Sequence, residues 1–178
     1  MSMPRAVAAA LAFLLAGCIS SNPPAPPVRW FDPTPDELPP LPQPGPALPV
    51  ATVSVAASVR QEFVLRTAAR ELVIDDLHQW SAPPDRLVAA AVEAASFGPG
   101  GGTPSSERFP LRVARFEFEL YGAAPRAVVE LQAMLPQGLR RCRGASDAAG
   151  LDPGELAAAM AQALGQAVAA VRAALVAP

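Results

Sequence analysis

The sequence contains no lysine: all fourteen basic residues are arginine. A phosphate-cradling Walker loop needs its lysine, so the chain is not the ATPase of anything. Schiff-base and serine–lysine nucleophile chemistry are excluded with it. His78 is the only histidine, and there are only two cysteines, Cys18 and Cys142. That donor set cannot assemble a His/Cys zinc site within the chain. No Gly-x-Ser-x-Gly elbow occurs, and Asp75, Asp76, His78 and Ser81 crowd one short stretch instead of converging from separate elements. The expectation is therefore a protein that is not an enzyme and carries no metal or other cofactor. A net charge of −2 offers no electrostatic footprint for nucleic acid. Aromatics are 6% of a chain that is 51% hydrophobic, so a core must be built largely from small side chains.

Long apolar runs are missing too. The run from Val7 to Ala16 follows Arg5 and falls well short of the roughly 20 residues that span a bilayer. A basic start, a short apolar stretch and small residues before a cut describe a secretory signal peptide. Its ending, Leu15-Ala16-Gly17-Cys18, resembles the bacterial lipobox, in which the cysteine thiol is acylated and becomes the new N-terminus. The expected parts are a signal peptide over 1–17, an acylated Cys18 with a tether over 18–47, and a folded domain over 48–178. Covalent lipid on Cys18, palmitate included, then anchors the chain. Ile19 stands where inner-membrane retention would call for Asp, so the outer membrane, periplasmic side, is the expected location in a Gram-negative envelope. With Cys18 acylated, Cys142 is left without an intrachain partner; it is either a tolerated apolar thiol or an intermolecular bridge.

Proline is what the chain has in quantity: twelve of the thirty-one positions 19–49. Such a segment favours extended polyproline conformations and reads as a semi-rigid tether. Arg29-Trp30-Phe31 interrupts it, and two adjacent aromatics in a tether suggest a docking point, a short edge strand laid on the domain. Beyond it, Val50 to Ala57, Glu62 to Arg66 and Glu71 to Asp76 read as strands. Pro83-Pro84-Asp85 opens a helix over 84–96, with Leu87, Val88, Ala91, Val92 and Ala95 as its apolar stripe. Gly98 to Ser106 is a loop by composition.

From Phe109 to Tyr121 the pattern alternates strongly. Ala114, Phe116, Phe118 and Leu120 share one face; Arg115, Glu117 and Glu119 share the other. Leu111 and Val113 sit out of phase with these, which points to a bulge, or to cover on both sides, near Ala114. Val129, Leu131, Ala133 and Leu135 mark the next strand, and Leu139 to Gly144 an arginine-rich edge strand. Asp152-Pro153-Gly154-Glu155 starts the last helix, with a stripe of Leu156, Met160, Leu164, Val168, Val171 and Leu175. That stripe is expected to pack on the domain's own sheet, while the alanine-rich opposite face leaves a homo-oligomeric contact open. The fold class is α+β, an antiparallel-rich mixed sheet with two main helices packed on one face.

The run Leu72-Val73-Ile74-Asp75-Asp76-Leu77-His78-Gln79-Trp80-Ser81-Ala82-Pro83 resembles the middle of the ABC-type transport auxiliary lipoprotein family (PqiC-like). In that family a strand leads to an aromatic-or-His, x, Trp, small, x, Pro segment and then a helix. The likeness extends to the lipobox, to Trp30-Phe31-Asp32-Pro33, to the later strand pair and to the alanine-rich final helix. The chain departs from the pattern in its very proline-rich tether, and the stretch before Glu62 has no clear counterpart. The resemblance implies a periplasmic accessory lipoprotein of an ABC transport system, often one with a mammalian-cell-entry (MCE) type subunit that moves phospholipid between membranes. The implied partners are the membrane, through the lipid, and the periplasmic MCE-type subunit. His78, Trp80, Arg29, Trp30 and Phe31 are the candidate contact residues. For Trp80 the residue itself allows two roles, core anchor at a strand–helix junction or partner contact. The alternative class is a structural or assembly-factor envelope lipoprotein with no link to lipid.

Overall fold

The computed structural model describes residues 25–34, 48–97 and 108–176. The signal peptide, Cys18, most of the proline-rich tether and the 98–106 loop lie outside the described residues. Within them the element order is β1 (Arg29–Phe31), β2 (Val50–Val55), β3 (Glu62–Ala68), β4 (Glu71–Trp80), α1 (Pro84–Phe97), β5 (Phe109–Glu119), β6 (Arg126–Leu135), β7 (Gly138–Asp147) and α2 (Pro153–Val176). The strands form one seven-stranded sheet ordered β1-β4-β3-β5-β6-β7, with β2 also paired to β5. The longest ladders, β3–β4, β5–β6 and β6–β7, are antiparallel; β1–β4, β2–β5 and β3–β5 are parallel. The protein is α+β with a mixed, mostly antiparallel sheet.

β5 carries the architecture. Its first half takes β2 as a parallel neighbour at Phe109–Val113, and its second half takes β3 at Phe118–Glu119. Two strands thus share one edge of a long strand. The register with β6 shifts between Val113 and Arg115. The switch in apolar phase around Ala114 is this bulge, since one extra residue puts both Val113 and Phe116 on the same face.

Both helices cover that face. α1 begins after Pro83, whose carbonyl accepts from Arg86 and Leu87 N–H, and it packs against β2, β5 and α2. α2 is capped by Asp152 Oδ1, which accepts from Gly154 N–H at 2.8 Å, and it lies on β6 and β7. Leu156, Met160, Leu164, Val168 and Val171 are buried beneath it as the stripe implies. Ala157, Ala159, Ala163 and Ala167 are buried too, so much of the alanine face is taken up inside the molecule and is not free for a second subunit. The helix can sit so low because β7 offers Gly144: a Cβ there would lie 1.9 Å from the Ala163 carbonyl oxygen and 2.6 Å from Ala167 N. α2 is long and apolar enough to cross a membrane by composition, and here that apolarity is spent on the sheet. Arg172 ties the helices together, its Nη2 donating to the Ala95 carbonyl at 2.6 Å near the end of α1. Ser96 anchors the entry to the domain, accepting from Leu48 N–H at 3.0 Å.

Candidate partner-binding site

Arg29-Trp30-Phe31 leaves the tether and joins the sheet as β1, parallel to the end of β4. Arg29 pairs with His78, Trp30 with Gln79 and Phe31 with Trp80. Ser81 N–H donates to the Phe31 carbonyl at 2.7 Å and closes the corner into α1. The strand β4 therefore runs on through Leu77–Trp80, a stretch that composition alone reads only as a lead-in to the helix. Five candidate residues, far apart in sequence, are brought to one corner of the sheet.

They do not do the same thing there. Trp80 is fully buried, stacked on Phe63 with centroids 4.2 Å apart and met edge-on by Phe116 at 5.3 Å. Phe118 completes the cluster at 5.8 Å from Trp80. Backbone bonds lock the position: Trp80 N–H donates to the Gln61 carbonyl, and Gln61 Nε2 donates to the Trp80 carbonyl at 3.1 Å. Trp80 is the core anchor, and its candidacy as a contact residue is withdrawn, because reaching it would mean opening an aromatic cluster worth several kcal/mol, on the order of 3–5. Its indole Nε1 finds no hydrogen-bond acceptor among the described residues. Ring faces are the neighbours it has, and they are at best weak acceptors.

His78 lies one layer further out. Its Nδ1 is 2.6 Å from Asp75 Oδ2, and its ring packs between Phe31 and Phe63, with centroids at 5.8 and 5.9 Å. Phe31 is half-buried, and the Arg29 guanidinium carbon stands 5.1 Å from its ring centroid, a cation–π geometry. Strand alternation turns Trp30 the other way, onto the sheet face that carries no helix among the described residues, where it is 56% exposed. Arg29 and Trp30 thus present the accessible chemistry, Phe31 and His78 support it, and Trp80 holds the floor.

The helix-free face carries a second feature. Glu117 on β5 is buried, yet it receives Arg66 Nε at 2.6 Å on one carboxylate oxygen and Arg66 Nη2 at 3.0 Å on the other. Arg115 joins through Nε at 2.8 Å and also through Nη2. Arg115 Nη2 then bonds Glu119 at 2.7 Å, and Arg143 on β7 pairs with Glu119 at 3.7 Å. Burial by itself would push the Glu117 carboxyl up; the hydrogen bonds from Arg66 and Arg115 outweigh it and hold the group below its ordinary range. Sequence alternation identifies Arg115, Glu117 and Glu119 as a polar face. It carries no sign of Arg66, fifty-one positions away from Glu117. Cys142 faces the core, where burial pushes its thiol up despite Arg140 nearby, so it is poorly suited to thiolate chemistry. Among the described residues no group of three or more His, Cys, Asp or Glu could hold a metal ion.

No protein-family model and no curated protein matches the chain. Solved structures do. A crystal structure of protein XCC0632 from Xanthomonas campestris, described as DUF330, superposes with a TM-score of 0.67 at 23% identity, covering 84% of this chain and 95% of that one. A crystal structure described as an uncharacterized protein superposes with a TM-score of 0.55 at 16% identity, covering 84% and 99%. At these identities the likeness is one of fold, and the chain shares its fold with a DUF330 protein over nearly the whole length of that protein.

Proposed function

We propose that this protein is a lipid-anchored accessory subunit of a periplasmic ABC transport assembly, a binding and bridging component with no catalytic role. The finer reading is an MCE-type system moving phospholipid between membranes, with this chain on the periplasmic face of the outer membrane. The observation that carries the proposal is the position of β1. The segment just after the lipobox is part of the domain's own sheet, and it displays Arg29 and Trp30 there. Only residues 19–28 separate the lipid-bearing Cys18 from that strand. Ten residues reach at most about 36 Å when fully extended, so the displayed arginine and tryptophan stay close to the membrane. Aromatic and arginine side chains dominate the energy of protein contacts. The Leu72–Pro83 resemblance supports the same reading.

Mass analysis of the mature protein should find it starting at Cys18 with diacylglycerol attached; a different start without lipid removes the anchor from the proposal. Co-purification from cross-linked envelopes should recover the periplasmic transporter subunit. Trp30→Ala should weaken that recovery by more than 1 kcal/mol with the melting temperature unchanged. If no transporter subunit is captured and a deletion strain keeps normal lipid asymmetry, the chain is a structural lipoprotein instead.

A further inference from the structure

The two edges of the sheet are unlike each other. β1 covers β4 only at His78–Trp80. Continued in the same register, β1 would set Val28, Pro27 and Pro26 beside Leu77, Asp76 and Asp75, and the two prolines have no N–H to donate; among the described residues nothing pairs with the edge from Glu71 to Leu77. This open edge is apolar, with Leu72, Val73, Ile74 and Leu77 each 38–44% exposed, and it is flanked by Glu71, Asp75 and Asp76. Among the described residues no strand pairs with it, and what keeps it from pairing with its own like is the charge of those three carboxylates.

At the far end of the sheet, β7 displays Leu139, Arg140, Arg141 and Arg143. Its exposed ladder stops near Gly144, because Gln166 Oε1 of α2 accepts the next N–H, that of Ala145, at 3.2 Å. Residues 71–77 and 138–144 are stretches of the same length. Tracing the ladders across the sheet, β4 and β7 run in opposite directions.

We infer that the open β4 edge of one copy takes the arginine-rich β7 edge of a second copy, joining the two sheets head to tail by an antiparallel strand pair. The charges select this pairing. An acidic edge against an arginine edge is complementary, whereas β4 on β4 sets acid against acid and β7 on β7 sets arginine against arginine. A head-to-tail contact uses a different surface on each partner, so it propagates, and it closes into a ring if the rotation per copy allows. This interface is independent of the transport reading: it concerns only what covers β4.

The test uses the full mature protein in detergent, its mass read by sedimentation velocity and native mass spectrometry. The expected result is an assembly at low salt that dissociates near 1 M salt, where screening is complete within about 3 Å. Asp76→Arg and Arg141→Glu should each yield monomers with wild-type circular dichroism and melting temperature. Mixing the two variants should restore the assembly, since each then offers the other a complementary edge at both contacts. Glu71→Arg with Arg140→Glu, both on the helix-bearing face, provides a second exchange pair should either first variant fold poorly. A monomer at high protein concentration in low salt overturns the inference. So does an assembly that neither charge variant disturbs, or a mixture that stays monomeric. A chain that stays monomeric while a transporter segment binds β4 overturns it as well, and leaves the transport reading standing.

Discussion

The two faces of this sheet are sealed by different means. On one, Phe116 and Phe118 of β5 lie beneath α1 and α2 in a cluster with Phe63 and Trp80. On the other, Arg115, Glu117 and Glu119 of the same strand meet no helix among the described residues, yet Glu117 is as inaccessible as much of the core. Arginine side chains do the covering there, their apolar stems lying over the sheet while their guanidinium groups reach the carboxylate. A strand that looks half-solvated by its alternation can therefore be buried on both sides. The physical cost differs: the helix side loses cavity energy when truncated, and the arginine side loses charge compensation.

Breaking the helix side should cost most. Trp80→Ala should destabilise by about 3–5 kcal/mol, read by denaturant or thermal unfolding, because it empties the centre of the aromatic cluster. On the arginine side, Glu117→Ala should cost about 3 kcal/mol by the same measurement, since it leaves Arg66 and Arg115 facing each other without the carboxylate that compensates them. If Glu117→Ala proves neutral, the helix-free face is merely solvated and the comparison fails. Gly144→Ala probes how closely α2 lies on β7; with backbone atoms in the way the helix must lift, and a loss of about 1–3 kcal/mol is expected.

The same contrast has a pH signature. Glu117 is held below its ordinary range when folded, against about 4.3 for an unfolded glutamate. Its contribution is therefore complete above that value and is lost as pH falls through it toward the depressed folded value. Acid titration of the wild type should show a stability loss in that window that is absent from Glu117→Gln. The smallest effect belongs to the exposed pair Arg126–Asp147, bonded at 2.6 Å but open to water on both sides. Asp147→Asn should leave the melting temperature unchanged, because solvent screens that contact.

Local patterns made much of this fold legible. The bulge at Ala114 shows as a phase switch, the start of α1 as Pro83-Pro84-Asp85, and the start of α2 as Asp152-Pro153. Each depends on the conformational preference of a few neighbouring residues, which sequence states directly. The candidate site was legible only in pieces. Arg29-Trp30-Phe31 stands out as an interruption of the prolines, and His78-x-Trp80 as a motif, but nothing local says that one is registered against the other.

Sequence by itself determined which residues prefer water and where strands and helices begin. Tertiary structure decided the rest. It placed β1 against His78–Trp80, sent Trp80 to the core and Trp30 outward, and gave Glu117 its partner Arg66 from another strand. It also left the Glu71–Leu77 edge unpaired among the described residues. These are pairings between distant segments, set by which ladders close and which side chains fill the space between layers. The alternation within one strand fixes the two faces, but only the neighbouring strand decides what each face meets.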